Sequence, residues 1–435
     1  MKILLITAEE WNDFVYGNGV LTNWFSGFEA EFAQVYTSPG LPNNKICHKY
    51  FQIDEKQMVK SLFSSRRAGR EVVMQDMKDC QSMTENAQRK GIYGVFKKLS
   101  MWMHTPVMML QDTIWVLGRY DKKALNSFID DFAPDVIFCP QMGNPKMWRL
   151  ERIVHGMTDA PLVAFTGDDE ASYQQVSYSP LFWIRRWYLH RGLKKASSLF
   201  SHYFMHSAEQ AEDYHRLYNI PTSTLYKCGD FPTEFTPKPV GTPIRMVYAG
   251  RLYCGRWETL AEIGRALQQI NNDGERIVLD IYTQEELTAE QKEALCPEHS
   301  VYVRGSVTPA QLREVYRQAD IALHVESLRK GPRLATRLSF STKIIDLMAS
   351  SCAIFAMCWE RQCGFQYLRD HDAAFCVSTY DGILPMLQRI VDNPSLVQEY
   401  TRKAYNCGVE NHTREKIQEQ LKTKFEEVIA NAKVS

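Results

Sequence analysis

The sequence lacks an excess of either charge, with 51 Lys plus Arg against 51 Asp plus Glu, so no global field argues for a nucleic-acid partner. It also lacks any CxxC pair, and its 11 cysteines are scattered, as expected of reduced thiols in a cytosolic protein. The start, MKILLITAEEW, has neither the long apolar core nor the small-residue cleavage site of a secretory signal. No stretch approaches the roughly 18 uninterrupted apolar residues of a spanning helix. The sequon Asn411-His412-Thr413 therefore carries no weight in a chain that stays inside the cell. Cys352, Cys358 and Cys363 form the closest cysteine cluster, but Ala353-Ile354-Phe355 between them reads as a buried strand, so core thiols are expected there and a metal site is not.

What is present is material for ordinary cores, 45% hydrophobic and 23% charged over 435 residues, a length that calls for two domains. Ile3-Leu4-Leu5-Ile6-Thr7, a polar loop with Gly17-Asn18-Gly19, and helical spacing from Val20 to Phe28 read as strand, loop, helix. Apolar runs recur at 135–138 and 162–165. Buried parallel strands alternating with helices are the economical interpretation. Residues 55–130 break the alternation. They carry Ser64-Ser65-Arg66-Arg67, Arg89-Lys90, Lys97-Lys98 and a Met/Trp/Val run from Met101 to Val116, and read as a helical insertion.

Five proline and glycine residues crowd 232–243 and mark a linker. The alternation then restarts: strands at 244–250, 277–282, 301–303, 321–325 and 353–356, with helices at 258–270, 308–317 and 342–349. The expected division is an N-terminal domain over 1–235, a second doubly wound domain over 243–405, and a C-terminal helix in 406–435. In that helix Ile417, Leu421, Phe425 and Ile429 form one apolar stripe expected to dock on a domain surface.

In open parallel sheets, anions bind beyond the carboxyl ends of strands, where loop amides and helix starts face them. Two such places stand out in the second half. Gly250-Arg251 follows a strand end, with Arg256 five residues on. Ser341-Thr342-Lys343 opens the helix that carries Asp346. Together these amides, hydroxyls and cations could cradle a diphosphate. Asp346, about one turn beyond Thr342, is placed to accept hydrogen bonds from ribose hydroxyls. Glu326 ends the strand at 321–325 and could orient sugar hydroxyls. Each has a plainer reading: a surface arginine at a strand end, an ordinary helix start, a solvated acid.

The segments YAGRLYCGRWETL, YRQADIALHVESL and LSFSTKIIDLMASSCAIFA resemble successive motifs of the family-4 retaining glycosyltransferases, over most of residues 244–376. The resemblance implies the GT-B fold, two Rossmann-like α/β domains facing a cleft, with the nucleotide-sugar donor on the C-terminal side and the acceptor on the N-terminal side. In that family a Gly-Arg followed by Lys grips the donor diphosphate. Gly250, Arg251 and Arg256 match, with Arg in place of Lys, a planar fork replacing a point charge. The family's sugar-contacting and ribose-contacting acids would be Glu326 and Asp346, spaced more widely than is usual. The wider spacing is similar to that of capsule and surface-polysaccharide transferases, in which a basic insertion, here Arg329-Lys330-Gly331-Pro332-Arg333, precedes the Ser-Thr-Lys step. Asp168-Asp169 sits where relatives carry a pair beside the acceptor; a turn or helix cap would account for it equally. Met205 to Glu209 resembles the strand-to-helix step before their domain crossing. Gly19 belongs to a glycine turn like the one they place near the donor phosphate, and an ordinary turn explains it too.

The function implied is transfer of a sugar from a nucleotide diphosphate to a glycan or lipid-linked acceptor in surface-polysaccharide synthesis, with retention. Arg251, Arg256, Ser341, Thr342, Lys343 and Gly19 would hold the diphosphate, and Glu326, Asp168 and Asp169 would carry the catalytic contacts. No cofactor or metal is expected, because fixed cations meet the charge of the leaving group. A non-catalytic nucleotide-sugar-binding regulator and a GT-B-like epimerase are the alternatives. The basic-aromatic stretch from Trp183 to Lys195, with Lys97 and Lys98, could hold the N-terminal domain peripherally against an anionic membrane; an amphipathic helix with a core face and a solvated face accounts for the same residues.

Overall fold

Strands buried on both faces must be apolar along their whole length, and the continuous runs of the sequence do form strands in the computed structural model, which describes residues 1–14, 19–72, 104–140, 143–169 and 172–434. Gly17, Asn18, Arg89, Lys90, Lys97, Lys98, Met101 and Trp102 lie outside the described residues. Contacts divide the chain into two compact units. Unit 1 comprises 1–173, 177–225 and 418–435; unit 2 comprises 174–176 and 226–417.

Unit 1 holds, among the described residues, an eight-stranded sheet in the order β4-β3-β2-β1-β5-β6-β7-β8. The strands are β1 (Lys2–Thr7), β2 (Glu31–Tyr36), β3 (Lys49–Gln52), β4 (Arg70–Glu71), β5 (Val136–Pro140), β6 (Leu162–Thr166), β7 (Phe200–Met205) and β8 (Thr222–Thr224). All pair in parallel except β3 with β4. The region expected as an insertion contains the helices Glu55–Phe63, His104–Leu117 and Lys122–Phe132. Phe425 of the final helix, Arg414–Val434, is fully buried and meets Phe138 of β5 edge-on at 5.4 Å. The apolar stripe seen in the sequence is thus a packed face.

Unit 2 is a six-stranded parallel sheet in the order β11-β10-β9-β12-β13-β14, from β9 (Ile244–Ala249), β10 (Ile277–Tyr282), β11 (Val301–Gly305), β12 (Ile321–Val325), β13 (Ala353–Met357) and β14 (Phe375–Val377). Successive residues of a strand point to opposite faces, and each face has its own helix. Met246, Leu279, Ile281 and Leu323 pack with Leu260, Ile263 and Leu267 of the helix Arg256–Ile270. Val247, Ala322, Ile354 and Ala356 pack with Ile344, Ile345, Leu347 and Met348 of the helix Lys343–Met348. The chain leaves β9 toward one face and β12 toward the other, so the two strands flank a topological switch point, where an open α/β sheet leaves a crevice at its carboxyl edge.

Unit 2 begins ahead of the proline-rich stretch, because Tyr226 packs edge-on against His412 at 4.9 Å and beside Phe340 at 4.9 Å. Thr242-Pro243 within that stretch is a cis peptide.

Candidate donor-diphosphate site in unit 2

The site is built by the loops that leave β9 and β12. Past β9 the ladder continues one step, with the Gly250 amide donating to the Tyr282 carbonyl at 3.0 Å. The Tyr248 hydroxyl, donating to the Arg251 carbonyl at 2.6 Å, and the Leu252 amide, donating to Glu285 Oε2 at 2.7 Å, then fix the turn. Cys254 and Gly255 both have positive φ, 57° and 78°, and they reverse the chain into the helix Arg256–Ile270. A Cβ on Gly255 would lie 2.7 Å from Ser327 Oγ, so only glycine lets this helix start abut the loop after β12.

That close approach lets Arg256 reach Glu326. The guanidinium donates from Nε to Oε2 at 3.0 Å and from Nη2 to Oε1 at 2.7 Å, the two-pronged geometry that makes arginine–carboxylate pairs strong. The side chains are 16% and 7% exposed. Burial opposes the charge on Arg256, but the Glu326 carboxylate outweighs it and holds the guanidinium above its ordinary range. The Glu326 backbone is fixed as well: its amide donates to the Met357 carbonyl at 3.0 Å and its carbonyl accepts from Thr259 Oγ1 at 3.2 Å.

Lys343 comes from the opposite face of the sheet to the same crevice. Its ammonium donates to the Ala249 carbonyl at 3.1 Å and stands 5.9 Å over the Tyr248 ring. A Cβ on Gly250 would lie 2.3 Å from that nitrogen, so the glycine of the Gly-Arg motif makes room for the lysine. Lys343 as a whole residue is exposed. Its ammonium is nonetheless held below the ordinary lysine value, first by desolvation, then by Arg256 and Arg251, with Glu326 opposing. Arg251 is exposed and has no ion-pair partner among the described residues. Arg251, Arg256 and Lys343 thus share the crevice with three carboxylates: Glu326 is engaged by Arg256, Glu285 accepts from the Leu252 amide, and Asp346 acts on Lys343 from its own helix. The remaining positive field belongs to Arg251 and Lys343 and suits an anion.

The other expected residues take different places. Ser341 accepts the Ile344 amide at 3.0 Å through its backbone carbonyl, and Thr342 precedes the short helix without capping it. Asp346 pairs with Lys227 at 2.5 Å, leaving its side chain 49% exposed. Lys227 carries no motif, and nothing in the sequence marks it. His324, inside β12, went unremarked too. It is buried, its Nε2 has no hydrogen-bond partner among the described residues, and burial, then Arg256 and Lys343, push it down to about 3.

In unit 1, Asp169 is buried and its carboxylate is engaged: Oδ1 accepts from the Ser172 amide at 2.9 Å and meets Arg186 Nη2 at 3.3 Å, and Oδ2 accepts from the Ser172 hydroxyl. Asp168 is exposed, and its backbone carbonyl accepts from Gln210 Nε2 at 2.9 Å. Ser207 caps the helix Ala208–Tyr218 through the Gln210 amide, so the step after Met205 is strand to helix as the sequence indicates. Gly19 precedes the helix Val20–Phe25 in a left-handed conformation, with open space where a side chain would stand.

No family model and no curated protein matches this sequence. Solved structures do. Staphylococcus aureus TarM, in complex with Fondaparinux, α-GlcNAc-glycerol and UDP, is 12% identical with a TM-score of 0.52 over 71% of this chain, which spans only 59% of TarM's length. Sucrose-phosphate synthase from Thermosynechococcus elongatus is 14% identical with a TM-score of 0.60 over 99% of both chains. An Escherichia coli trehalose-6-phosphate structure bound with UDP-2-fluoro glucose is 9% identical with a TM-score of 0.59 over 97% of this chain and 98% of that one. At such identities the likeness concerns the backbone, and it shows that this chain has the GT-B fold, an α/β architecture with two parallel-sheet domains.

Proposed function

We propose that the chain transfers a sugar from a nucleotide diphosphate to an acceptor hydroxyl. The observation that carries this reading is the meeting of Lys343 with the Gly250-Arg251 turn, the ammonium 3.1 Å from the Ala249 carbonyl, at the β9/β12 switch point. In the reaction the anomeric C–O bond to phosphate breaks, a bond forms to the acceptor oxygen, and the acceptor proton passes to the departing phosphate. Charge builds on the diphosphate as that bond breaks. Preorganised cations therefore stabilise the transition state more than the ground state. Arg251 and Lys343 meet the diphosphate, with Ser341 and Thr342 beside Lys343. Arg256 contributes its field while orienting the Glu326 carboxylate, which is placed to accept from the sugar hydroxyls. Asp346 offers the ribose an acceptor, with Lys227 as its counter-charge. Because side chains supply the positive charge, the reading calls for no metal.

Unit 1 is assigned the acceptor. Asp168, exposed, is its candidate carboxylate; Asp169 positions the loop through Arg186 and Ser172. Gly19 is proposed to offer backbone to the phosphate. The resemblance to family-4 enzymes supports retention and a surface-polysaccharide acceptor. Structural neighbours solved with UDP and with UDP-2-fluoro glucose support a UDP-sugar donor. Exposed Val107, Leu110 and Leu117 on the helix His104–Leu117, and Leu181 and Ile184 on the helix Pro180–Ala196, support peripheral contact with an anionic membrane, which vesicle flotation tests.

A thermal-shift screen of nucleoside diphosphates and their sugars tests the donor reading. A uridine or guanosine compound at a hundred times its Kd should stabilise the protein by about 3 kcal/mol. No response to any nucleotide would remove the reading.

A further inference from the structure

Unit 1 contains a cavity of about 1160 Å³ between the helices Pro145–His155 and Pro180–Ala196. That exceeds the roughly 300–1,000 Å³ of an ordinary small-molecule pocket. None of the residues assigned above to sugar transfer lines it. Its cations come from two walls, Arg149 and Arg152 on one helix and Arg191, Lys194 and Lys195 on the other, and among the described residues no Asp or Glu lines it. None of the five has an ion-pair partner among the described residues. Two arginines just upstream on the second helix behave differently: Arg185 pairs with Asp112 at 3.4 Å and Arg186 with Asp169 at 3.3 Å. Cations gathered around one concavity without an ion-pair partner among the described residues repel one another. An anionic occupant relieves that repulsion.

The remaining lining says what kind of anion. Trp148, Tyr173, Trp187 and Tyr188 supply aromatic faces, while Val116 and Pro145 are the aliphatic contribution. Trp187 is 52% exposed and carries the Arg191 guanidinium 4.9 Å over its ring; the Arg149 guanidinium is held at the cavity's base by the buried Tyr120 ring, 4.7 Å away, and by the Trp115 carbonyl. Aromatic faces suit the C–H faces of sugar rings, and guanidinium groups suit phosphate, sulfate or carboxylate. A bilayer surface is planar and would touch only the rim of a concavity with cations on opposing walls.

We propose that this cavity is a binding site for an anionic oligosaccharide, several sugar units long and bearing phosphate, sulfate or carboxylate groups. The site holds a glycan without reacting with it. It rests on unit 1 alone and does not depend on the donor reading.

The test uses the full chain titrated with a sulfated hexasaccharide, a hexasaccharide of uronic acids, neutral maltohexaose and vesicles of phosphatidylglycerol in phosphatidylcholine. Both anionic glycans should bind, with affinity falling at least about tenfold as salt rises from about 0.05 to about 0.3 M. Maltohexaose should not bind. The triple variant Arg191→Glu, Lys194→Glu, Lys195→Glu changes exposed helix positions. It should lose glycan affinity at least about tenfold with its melting temperature and nucleotide response kept, and Trp187→Ala should weaken binding several-fold. Binding of maltohexaose as tight as that of the anionic glycans would overturn the proposal. So would binding to vesicles without binding to any glycan, or glycan binding untouched by the triple variant in a folded protein.

Discussion

Two buried acid–arginine pairs stand just past strand ends, one in each unit, and they leave different things behind. Glu326 follows β12 and meets Arg256 through two parallel bonds of 2.7 and 3.0 Å. Asp169 lies shortly beyond β6 and meets Arg186 through one contact of 3.3 Å, while Ser172 takes the rest of its carboxylate. Beside the Glu326–Arg256 pair stands Lys343, whose ammonium feels Arg256 and Arg251 on one side and Glu326 and Asp346 on the other. The Asp169 carboxylate itself is satisfied by Arg186 and Ser172. The same residue types thus make an electrostatic site in unit 2 and a loop clasp in unit 1, and what separates them is the charge left over.

The largest expected effect that breaks this comparison is on stability. Glu326→Ala leaves a mostly buried guanidinium without its partner and should cost about 3–5 kcal/mol in denaturant unfolding. Asp169→Ala should cost less, about 1–3 kcal/mol, because Arg186 keeps the carbonyls of Ser172 and Asp169 at 2.6 and 2.9 Å. Equal losses would remove the distinction.

Next comes a pH effect from the histidine beside the cations, of the same sign as that from His202 and His206 of unit 1, which burial pushes down to about 4. His324 has its folded value pushed down to about 3, first by burial and then by Arg256 and Lys343, from an unfolded value near 6.5. Between those values the unfolded chain binds a proton that the folded chain refuses, so stability falls as pH drops below about 6.5. The loss should reach about 2 kcal/mol at pH 5. Thermal unfolding of His324→Leu should depend less on pH over that interval; an unchanged dependence would contradict the assignment.

The smallest effect separates two glycines of one loop. In Gly250→Ala the new methyl displaces the flexible end of Lys343, so stability should change by less than about 1 kcal/mol while nucleotide affinity falls several-fold. In Gly255→Ala the left-handed backbone and Ser327 are strained together, with a stability loss of about 1–2 kcal/mol. Denaturant melts paired with nucleotide titrations distinguish the two.

The strands were legible because parallel sheets need unbroken apolar runs: Ile277–Tyr282 and Ile321–Val325 occupy the residues the pattern indicated. The helix Pro309–Gln318 was legible from Thr308, which caps it. Juxtapositions across the sheet were not. Arg256 and Glu326 are 70 residues apart, and no local pattern shows that they meet. Asp346 was legible as an acid on the helix that follows Ser341-Thr342, but its partner Lys227 comes from a segment with no motif. The proline-rich linker marked a break in composition, whereas the unit begins earlier because Tyr226 packs into an aromatic cluster assembled from distant segments.

The central claim is that Arg251 and Lys343 receive one anionic group. Isothermal titration of UDP and GDP into the native chain, Arg251→Ala and Lys343→Ala measures it directly, with circular dichroism confirming the fold. The account predicts that each substitution weakens the bound diphosphate about tenfold or more while the native fold persists. Unchanged affinity in both variants would contradict it.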